Sequence, residues 1–252
     1  MNAVSEQFGN FTKQINDGST QSRITLVILF IILLYVAIRI IFYILSYYYS
    51  ENKHVTIIKG RLSGTDKTYP TDPLVRGSRK IVRSKHGLQF TYTMWLKCFS
   101  ISSSATTIFT KGSSDGVSSC PAIAVTGTNT ENLNFEVRID EYDATTGTIE
   151  IKNLPIMKWF NVTIVVNQPH MYVYVNGSVK DSYTTETIFK QNLDSIYVDA
   201  TTIDIADLTY YPIALNGFQI RNIVSTGVDT NAAEKVGDDI FPSYLHNSFY
   251  TN

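Results

Sequence analysis

Four acidic residues that lie close together in the sequence are the best candidates for hydrolytic chemistry. They are Glu136, Asp140, Glu141 and Asp143. A pair of carboxyl groups that cleaves a glycosidic bond with retention must lie about 5–5.5 Å apart, which on a strand requires positions i and i+2 or i and i+4 on one face. Asp143 is followed by Ala-Thr-Thr-Gly, a stretch typical of a turn. We therefore expect these acids to flank a hairpin loop, and we predict that the protein is not an enzyme.

Loop oxygens offer a second kind of chemistry, which is calcium binding. Calcium takes six to eight oxygen ligands, and Asp115, Asn129, Asn132 and Asp143 lie in loops that could converge. No Asp-x-Asp-x-Asp-Gly spacing accompanies them, so we favour solvated loop acids and predict no cofactor, with calcium left open. The four histidines share no zinc-ligand spacing with the cysteines.

The two cysteines, Cys98 and Cys120, are too few for a disulfide framework in a domain of this size. A bridge between them would require an oxidising compartment, whereas a cytosolic domain would keep both as buried thiols. The sequence alone leaves their pairing open.

A long apolar run near the N-terminus determines how the rest of the chain is placed relative to a membrane. It extends from Ile24 to Leu45 and contains one charge, Arg39. A helix of that length covers roughly 33 Å, which matches the hydrocarbon layer of a bilayer at about 30 Å. Arg39 can snorkel to the interface, and Tyr47 and Tyr48 are of the type that favours the headgroup level.

These features predict a transmembrane helix over residues 24–46, preceded by a polar arm over residues 1–23. The lipid bilayer is therefore the first predicted partner.

Charge is distributed unevenly along the rest of the chain. Residues 53–86 contain nine Lys or Arg and two acids, whereas residues 87–252 contain nine basic and seventeen acidic residues. Because basic flanks stay on the cytoplasmic side, we expect the C-terminal domain to face the cytosol. The basic segment could rest on anionic lipid headgroups or simply be solvated. No aromatic-interleaved basic motif is present, so we predict no nucleic-acid partner.

Alternation of apolar and polar residues dominates the sequence from Leu88 onward. Residues 88–98 alternate with period two, and residues 159–183 form three such runs separated by Asn167-Gln-Pro-His170 and by Asn176-Gly177. An Asn-Gly pair supplies the positive φ angles of a tight hairpin. Repeated short strands with turn signals between them predict an all-β sandwich.

Four segments carry a family resemblance. They are LQFTYTMWLKCF at residues 88–99, TIFTKG at 107–112, WFNVTIVVNQPHMYVYVNG at 159–177 and IDIADLTYYPIALNGFQI at 203–220. They resemble successive landmarks of the concanavalin A-like jelly roll, specifically the laminin-G type, over roughly residues 53–225. The resemblance implies relatives that hydrolyse glucans or bind calcium, but the Glu-x-Asp-x-x-Glu strand pattern of those hydrolases is missing here.

Two softer segments, Pro121–Ile123 and Glu150–Pro155, extend the resemblance to single-pass membrane proteins of large double-stranded DNA viruses. That resemblance implies a minor capsid protein in an internal virion membrane derived from the host endoplasmic reticulum, with its domain facing the capsid proteins. The alternative is a membrane-tethered, lectin-like protein that binds glycans.

The C-terminal tail, residues 226–252, contains aromatic residues in a polar context. Phe241, Tyr244, Phe249 and Tyr250 are our candidate partner-binding residues, because apolar anchors in such a tail fold back or dock into a neighbour.

Overall fold

The computed structural model describes residues 20–51, 54–72, 78–85, 87–99, 104–113, 118–129, 132–192 and 194–233. In the first of these ranges it describes the side chains of residues 27–43 only, and it leaves out the side chains of 127–129 and 132. The chain divides into two compact units, Met1–Asn52 and Lys53–Asn252. We call the second unit the head.

The apolar run forms one helix, α1, over Thr20–Glu51. Its large apolar side chains are exposed, from 43% at Ile38 to 75% at Tyr43, and Arg39 is exposed as well. In the part of the chain that the structure describes, no helix is long and apolar enough to cross a membrane. The helix is therefore confirmed, but the span is not. The other anchor candidates, Ile24, Leu45, Tyr47 and Tyr48, have side chains outside the described set.

Two antiparallel sheets form the head, which confirms the β-sandwich. The first sheet has the order β1-β13-β4-β9-β10-β11, with β2 also pairing with β13, and the second has the order β3-β12-β5-β6-β7-β8. The first sheet comprises β1 Val55–Thr56, β2 Arg61–Leu62, β4 Gln89–Cys98, β9 Phe160–Asn167, β10 His170–Val175, β11 Ser178–Thr184 and β13 Ile203–Tyr211. The second comprises β3 Asp66–Tyr69, β5 Thr106–Gly112, β6 Ser119–Asn129, β7 Asn132–Asp140, β8 Thr146–Leu154 and β12 Ile196–Asp199.

The core lies between the sheets and follows the period-two pattern. The inward-facing side chains of β4 are buried, namely Phe90, Tyr92, Met94, Leu96 and Cys98. Fully burying an apolar side chain of this size contributes roughly 1.5–3 kcal/mol, so the alternation that predicts the strands also supplies the force that joins the sheets.

A C-terminal helix covers the outer face of the first sheet. Helix α2 spans Gly217–Thr226 and begins with a capping box in which Asn216 and Gln219 bond each other's backbone amide. Its Ile220 is buried against Val165, with Tyr172 and Tyr174 half-buried beside them. The sequence predicts only a turn over residues 215–222, because the helix is too short for its apolar residues to show a clear 3.6-residue repeat.

Two local predictions are wrong. Residues 63–79 are expected to be irregular, but Asp66–Tyr69 forms β3, a charged edge strand paired with β12. Lys111 and Gly112 are expected to close a turn after Thr110, but both belong to β5. In each case charged residues indicate a loop from the sequence, but pairing with a neighbouring strand makes the segment a strand.

The segment after α2 runs along the outer edge of β2. The Arg61 amide donates to the Asn231 carbonyl at 2.7 Å, and the Ala233 amide donates to the Arg61 carbonyl at 2.8 Å. Gly60, at φ +76°, lies so close that an added Cβ would meet the Asn231 oxygen at 2.8 Å. Residues 231–233 are therefore hydrogen-bonded to β2, whereas Phe241, Tyr244, Phe249 and Tyr250 lie outside the described residues.

Candidate functional site

A buried lysine, Lys111, lies near the end of β5, where it pairs with Ile196 at the start of β12. Lys111 is 3% exposed, and its ammonium donates to Thr71 Oγ1 at 3.1 Å, to Asn192 Oδ1 at 3.1 Å and to the Asp194 carbonyl. All three of its protons therefore have oxygen acceptors. Burial lowers the pKa of Lys111 to about 8, although the charge of Asp194 acts in the opposite direction.

A cavity of about 20 Å³ lies beside this ammonium, lined also by Tyr92, Cys120 and Tyr210. That volume is enough for about one water molecule, whereas small-molecule pockets are typically about 300–1,000 Å³. The cavity therefore cannot hold a saccharide.

Tyrosine and cysteine side chains also line the cavity, and burial keeps them in their protonated, unreactive forms. The rings of Tyr92 and Tyr210 lie 5.1 Å apart, and burial raises the pKa of Tyr92 well above its usual value. Burial also raises the pKa of Cys120 to about 11, so the thiolate, which is the nucleophilic form, is scarce at neutral pH. The thiols of Cys98 and Cys120 are not joined in a disulfide, and both side chains are buried.

A second polar cluster surrounds the carboxylate of Glu141, which is 3% exposed. It accepts hydrogen bonds from Tyr183 Oη at 2.7 Å, from Thr187 Oγ1 at 2.9 Å and from Thr185 Oγ1. Burial alone would raise the pKa of Glu141, but these hydrogen bonds outweigh burial and lower it. The same bond raises the pKa of Tyr183 to about 12.

The other three acids of the predicted cluster also have partners within the chain. Glu136 forms a two-point contact with Arg138, at 2.7 and 2.8 Å. Asp140 accepts the Ser119 amide at 2.8 Å, and Asp143 accepts the amide and hydroxyl of Thr145. Glu141–Thr145 is the turn between β7 and β8, as the sequence predicts.

Comparison with known families supports this fold assignment. Residues 78–223, more than half of the chain, match the laminin-G type described as the concanavalin A-like lectin/glucanases superfamily. The chain belongs to this superfamily. Of the curated proteins, none matches the sequence.

Solved structures with similar folds include receptor-binding domains of botulinum neurotoxins. The serotype D binding domain aligns with 14% identity and a TM-score of 0.50, covering 69% of this chain and 46% of that one. The type G receptor-binding domain aligns with 15% identity and a TM-score of 0.49, with the same coverage. The matched region is therefore about half the length of these neurotoxin domains, and the similarity concerns fold alone.

Of the four calcium candidates, Asp143 alone has a described side chain. Within the described residues, no three His, Cys, Asp or Glu side chains are grouped as metal ligands would be. Asp143 is bonded to Thr145, whereas Asp115 and the side chains of Asn129 and Asn132 lie outside the description.

The head contains two N-glycosylation triplets, Asn161-Val-Thr163 and Asn176-Gly-Ser178, and they differ in accessibility. Asn161 is fully buried and its amide donates to Thr93 Oγ1 and to the Met94 carbonyl, so an oligosaccharide cannot be attached there in the folded domain. Asn176 is exposed at the β10–β11 turn, and its side-chain oxygen accepts the Asn161 amide at 2.8 Å.

Exposed apolar side chains at two loop positions are features that sequence reasoning misses. Tyr142 is 80% exposed, and its amide donates to the carbonyl of Ile188, which is 57% exposed. Met157, 59% exposed, donates its amide to the Cys98 carbonyl next to Phe99. Isolated apolar residues in loops carry no periodic signal, so only their spatial pairing distinguishes them.

Proposed function

We propose that this chain is a membrane-anchored, non-catalytic binding protein whose concanavalin A-like head contacts other proteins. The observation that carries the proposal is the row of large exposed apolar side chains along α1, from Val27 to Tyr43, in a unit of its own. Such a surface on a soluble chain would be costly, and lipid is the environment that removes it from water. The apolar run of the sequence, residues 24–45, extends at both ends beyond these described side chains.

The absence of catalysis is part of this proposal. It is supported by the partners of the four acids, each of which is engaged by the chain's own donors, and by a cavity that admits about one water molecule.

The setting we propose is the internal membrane of a virus particle, derived from host endoplasmic reticulum, with the head turned to the capsid shell. The support is the resemblance of residues 121–123 and 150–155 to viral single-pass proteins. The aromatic tail residues Phe241, Tyr244, Phe249 and Tyr250 would supply the anchors for the capsid partner, because aromatic side chains often dominate binding energy at interfaces.

One experiment tests anchor and partner together. Purified particles or membranes that contain the chain are treated with protease before and after removal of the lipid by non-ionic detergent, and the shell is then sedimented. We expect the head to be protected in intact particles and to sediment with the shell after detergent. Release of the full chain into the detergent supernatant would contradict the scaffolding role, and extraction by plain buffer would contradict the anchor.

The alternative is a membrane-tethered lectin, which the description of the superfamily as lectins and glucanases favours. It predicts saturable binding of the full chain to a subset of a glycan array. A control with Tyr142→Ser and Ile188→Ser distinguishes sugar recognition by that exposed pair from binding elsewhere on the head.

A further inference from the structure

A short basic segment, which we call the strap, crosses one end of the sandwich. It comprises residues 78–85, and its backbone is fixed at two points: the Arg79 amide donates to the Pro70 carbonyl at 2.8 Å, and Tyr210 Oη donates to the Val82 carbonyl at 2.9 Å. Ile81 packs on the core. The strap is therefore held in place at defined points rather than solvated along its whole length.

The outward side of the strap combines positive charge with one apolar side chain. Lys80, Arg83 and Lys85 are exposed, and Val82 is 56% exposed. No described carboxylate lies within ion-pair distance of these three basic side chains.

The chain enters the head at the same end. Val55 of β1 pairs with Tyr210, and the ring of His54 lies 5.4 Å from the ring of Tyr211. Since Tyr210 also holds Val82, the entry point and the strap meet the same residues of β13. His54 follows Glu51, the last residue of α1, by three positions, which span at most about 10 Å.

We infer that the strap is a contact surface for the anionic leaflet of the membrane that α1 enters, an inference that rests on the proposed anchor. In the sequence only residues 52 and 53 separate α1 from His54, so a membrane that receives α1 is a few residues along the chain from the start of the head. Basic side chains near an anionic surface are attracted to it, and an exposed valine among them can enter the headgroup layer.

Acidic side chains near β8 and β11 favour a tilted contact between the head and the membrane. Asp143 and Glu186 lie near Tyr183, on the side of β8 and β11, where their charges raise the pKa of that tyrosine. An anionic leaflet attracts the strap and repels Asp143 and Glu186, with the charge of Lys190 beside Asp143 offsetting part of that repulsion. The head would therefore rest on its β1–β13–β4 side.

Lysine labelling in liposomes tests the contact in the full chain. The chain is reconstituted into vesicles of phosphatidylcholine alone or with 30% phosphatidylserine, and exposed amines are acylated with a membrane-impermeant reagent. We expect labelling of Lys80 and Lys85 to slow at least threefold with phosphatidylserine and to recover in 0.5 M salt. The exposed lysines Lys152 and Lys158 are internal controls and should not change.

A fluorescent probe gives a second measurement that does not remove charge. Val82→Cys and Val179→Cys place a thiol at positions of equal exposure, 56% and 53%, while the native thiols are buried. An environment-sensitive dye at position 82 should shift to the blue with phosphatidylserine, and the same dye at position 179 should not. Adding Lys80→Glu, Arg83→Glu and Lys85→Glu should abolish the shift at position 82.

The outcomes separate this inference from the proposed anchor. If the chain floats with both vesicle types but neither lysine labelling nor dye emission responds to phosphatidylserine, the strap contact is wrong and the anchor stands. If the chain does not float with vesicles at all, both are overturned.

Discussion

Replacing buried Lys111 by an apolar residue of similar length tests whether the protein carries a desolvated charge beside its cavity. Lys111→Met removes an ammonium whose pKa is about 8 in the folded chain and 10.5 without burial. Between these values the unfolded chain binds more protons than the folded chain, so the free energy of unfolding of the wild type must rise with pH in that window. At about 1.4 kcal/mol per pKa unit, the buried charge costs the wild type roughly 3 kcal/mol at pH 7.

That cost is released as the solution becomes alkaline. With the same two pKa values, the free energy of unfolding of the wild type should be higher than at pH 7 by about 1.3 kcal/mol at pH 9 and by about 2.5 kcal/mol at pH 10. At pH 7 the mutant also leaves three oxygen acceptors without their donor, at about 1 kcal/mol each, so the two proteins should be similar in stability there. The pH dependence of the difference, rather than its value at pH 7, carries the prediction.

Urea unfolding of the full chain in non-ionic detergent measures the difference, followed by tryptophan emission because Trp95 and Trp159 are both in the head. Lys158→Met, which removes an exposed lysine, is the matched control and should track the wild type at every pH. A wild-type minus Lys111→Met difference that stays flat from pH 7 to pH 10 would refute the account of a charged, desolvated lysine.

Three further predictions concern other parts of the head. Glu141→Gln should lower the free energy of unfolding by about 2–3 kcal/mol at pH 7, because hydrogen bonds to a charged group are the strong ones; since the pKa of Glu141 is lowered in the fold, its contribution should be present above about pH 4.5 and fade below it, so urea curves of the two proteins should converge in acid. Gly60→Ala should be more destabilising than Gly64→Ala, because both glycines have positive φ but only Gly60 faces Asn231, and limited proteolysis should then release residues 227–252; equal melting temperatures would contradict this docking. In microsomes, a head translocated into the lumen should acquire glycan at Asn176 and none at Asn161, as read by gel mobility after endoglycosidase.

Alternation and turn chemistry account for most of what the sequence predicts correctly. The Asn176-Gly177 turn has φ angles of 49° and 78° and joins β10 to β11, as a two-residue hairpin requires. Inward residues of β4 and β10 are buried where period two places them. These features depend on neighbours in sequence, which a single chain reveals.

The polar clusters could not be predicted because their members are far apart in sequence. Lys111 meets Thr71 and Asn192 at separations of 40 and 81 positions, and Glu141 meets Thr185 at 44. A lysine before a glycine has the composition of a turn, and nothing local indicates that its ammonium is buried. The sequence therefore predicts the sandwich but not the buried charges between and beside its sheets.

The backbone link between residues 61 and 231–233 has a mechanical consequence. A force that pulls residues 231–233 away from β2 would be carried by the two hydrogen bonds of Arg61. Two hydrogen bonds resist less force than the eight residue pairs that join β4 to β9, so this link should open before those strands separate. Under a small load, residues 231–233 would thus detach from β2 while the core of the head stays folded.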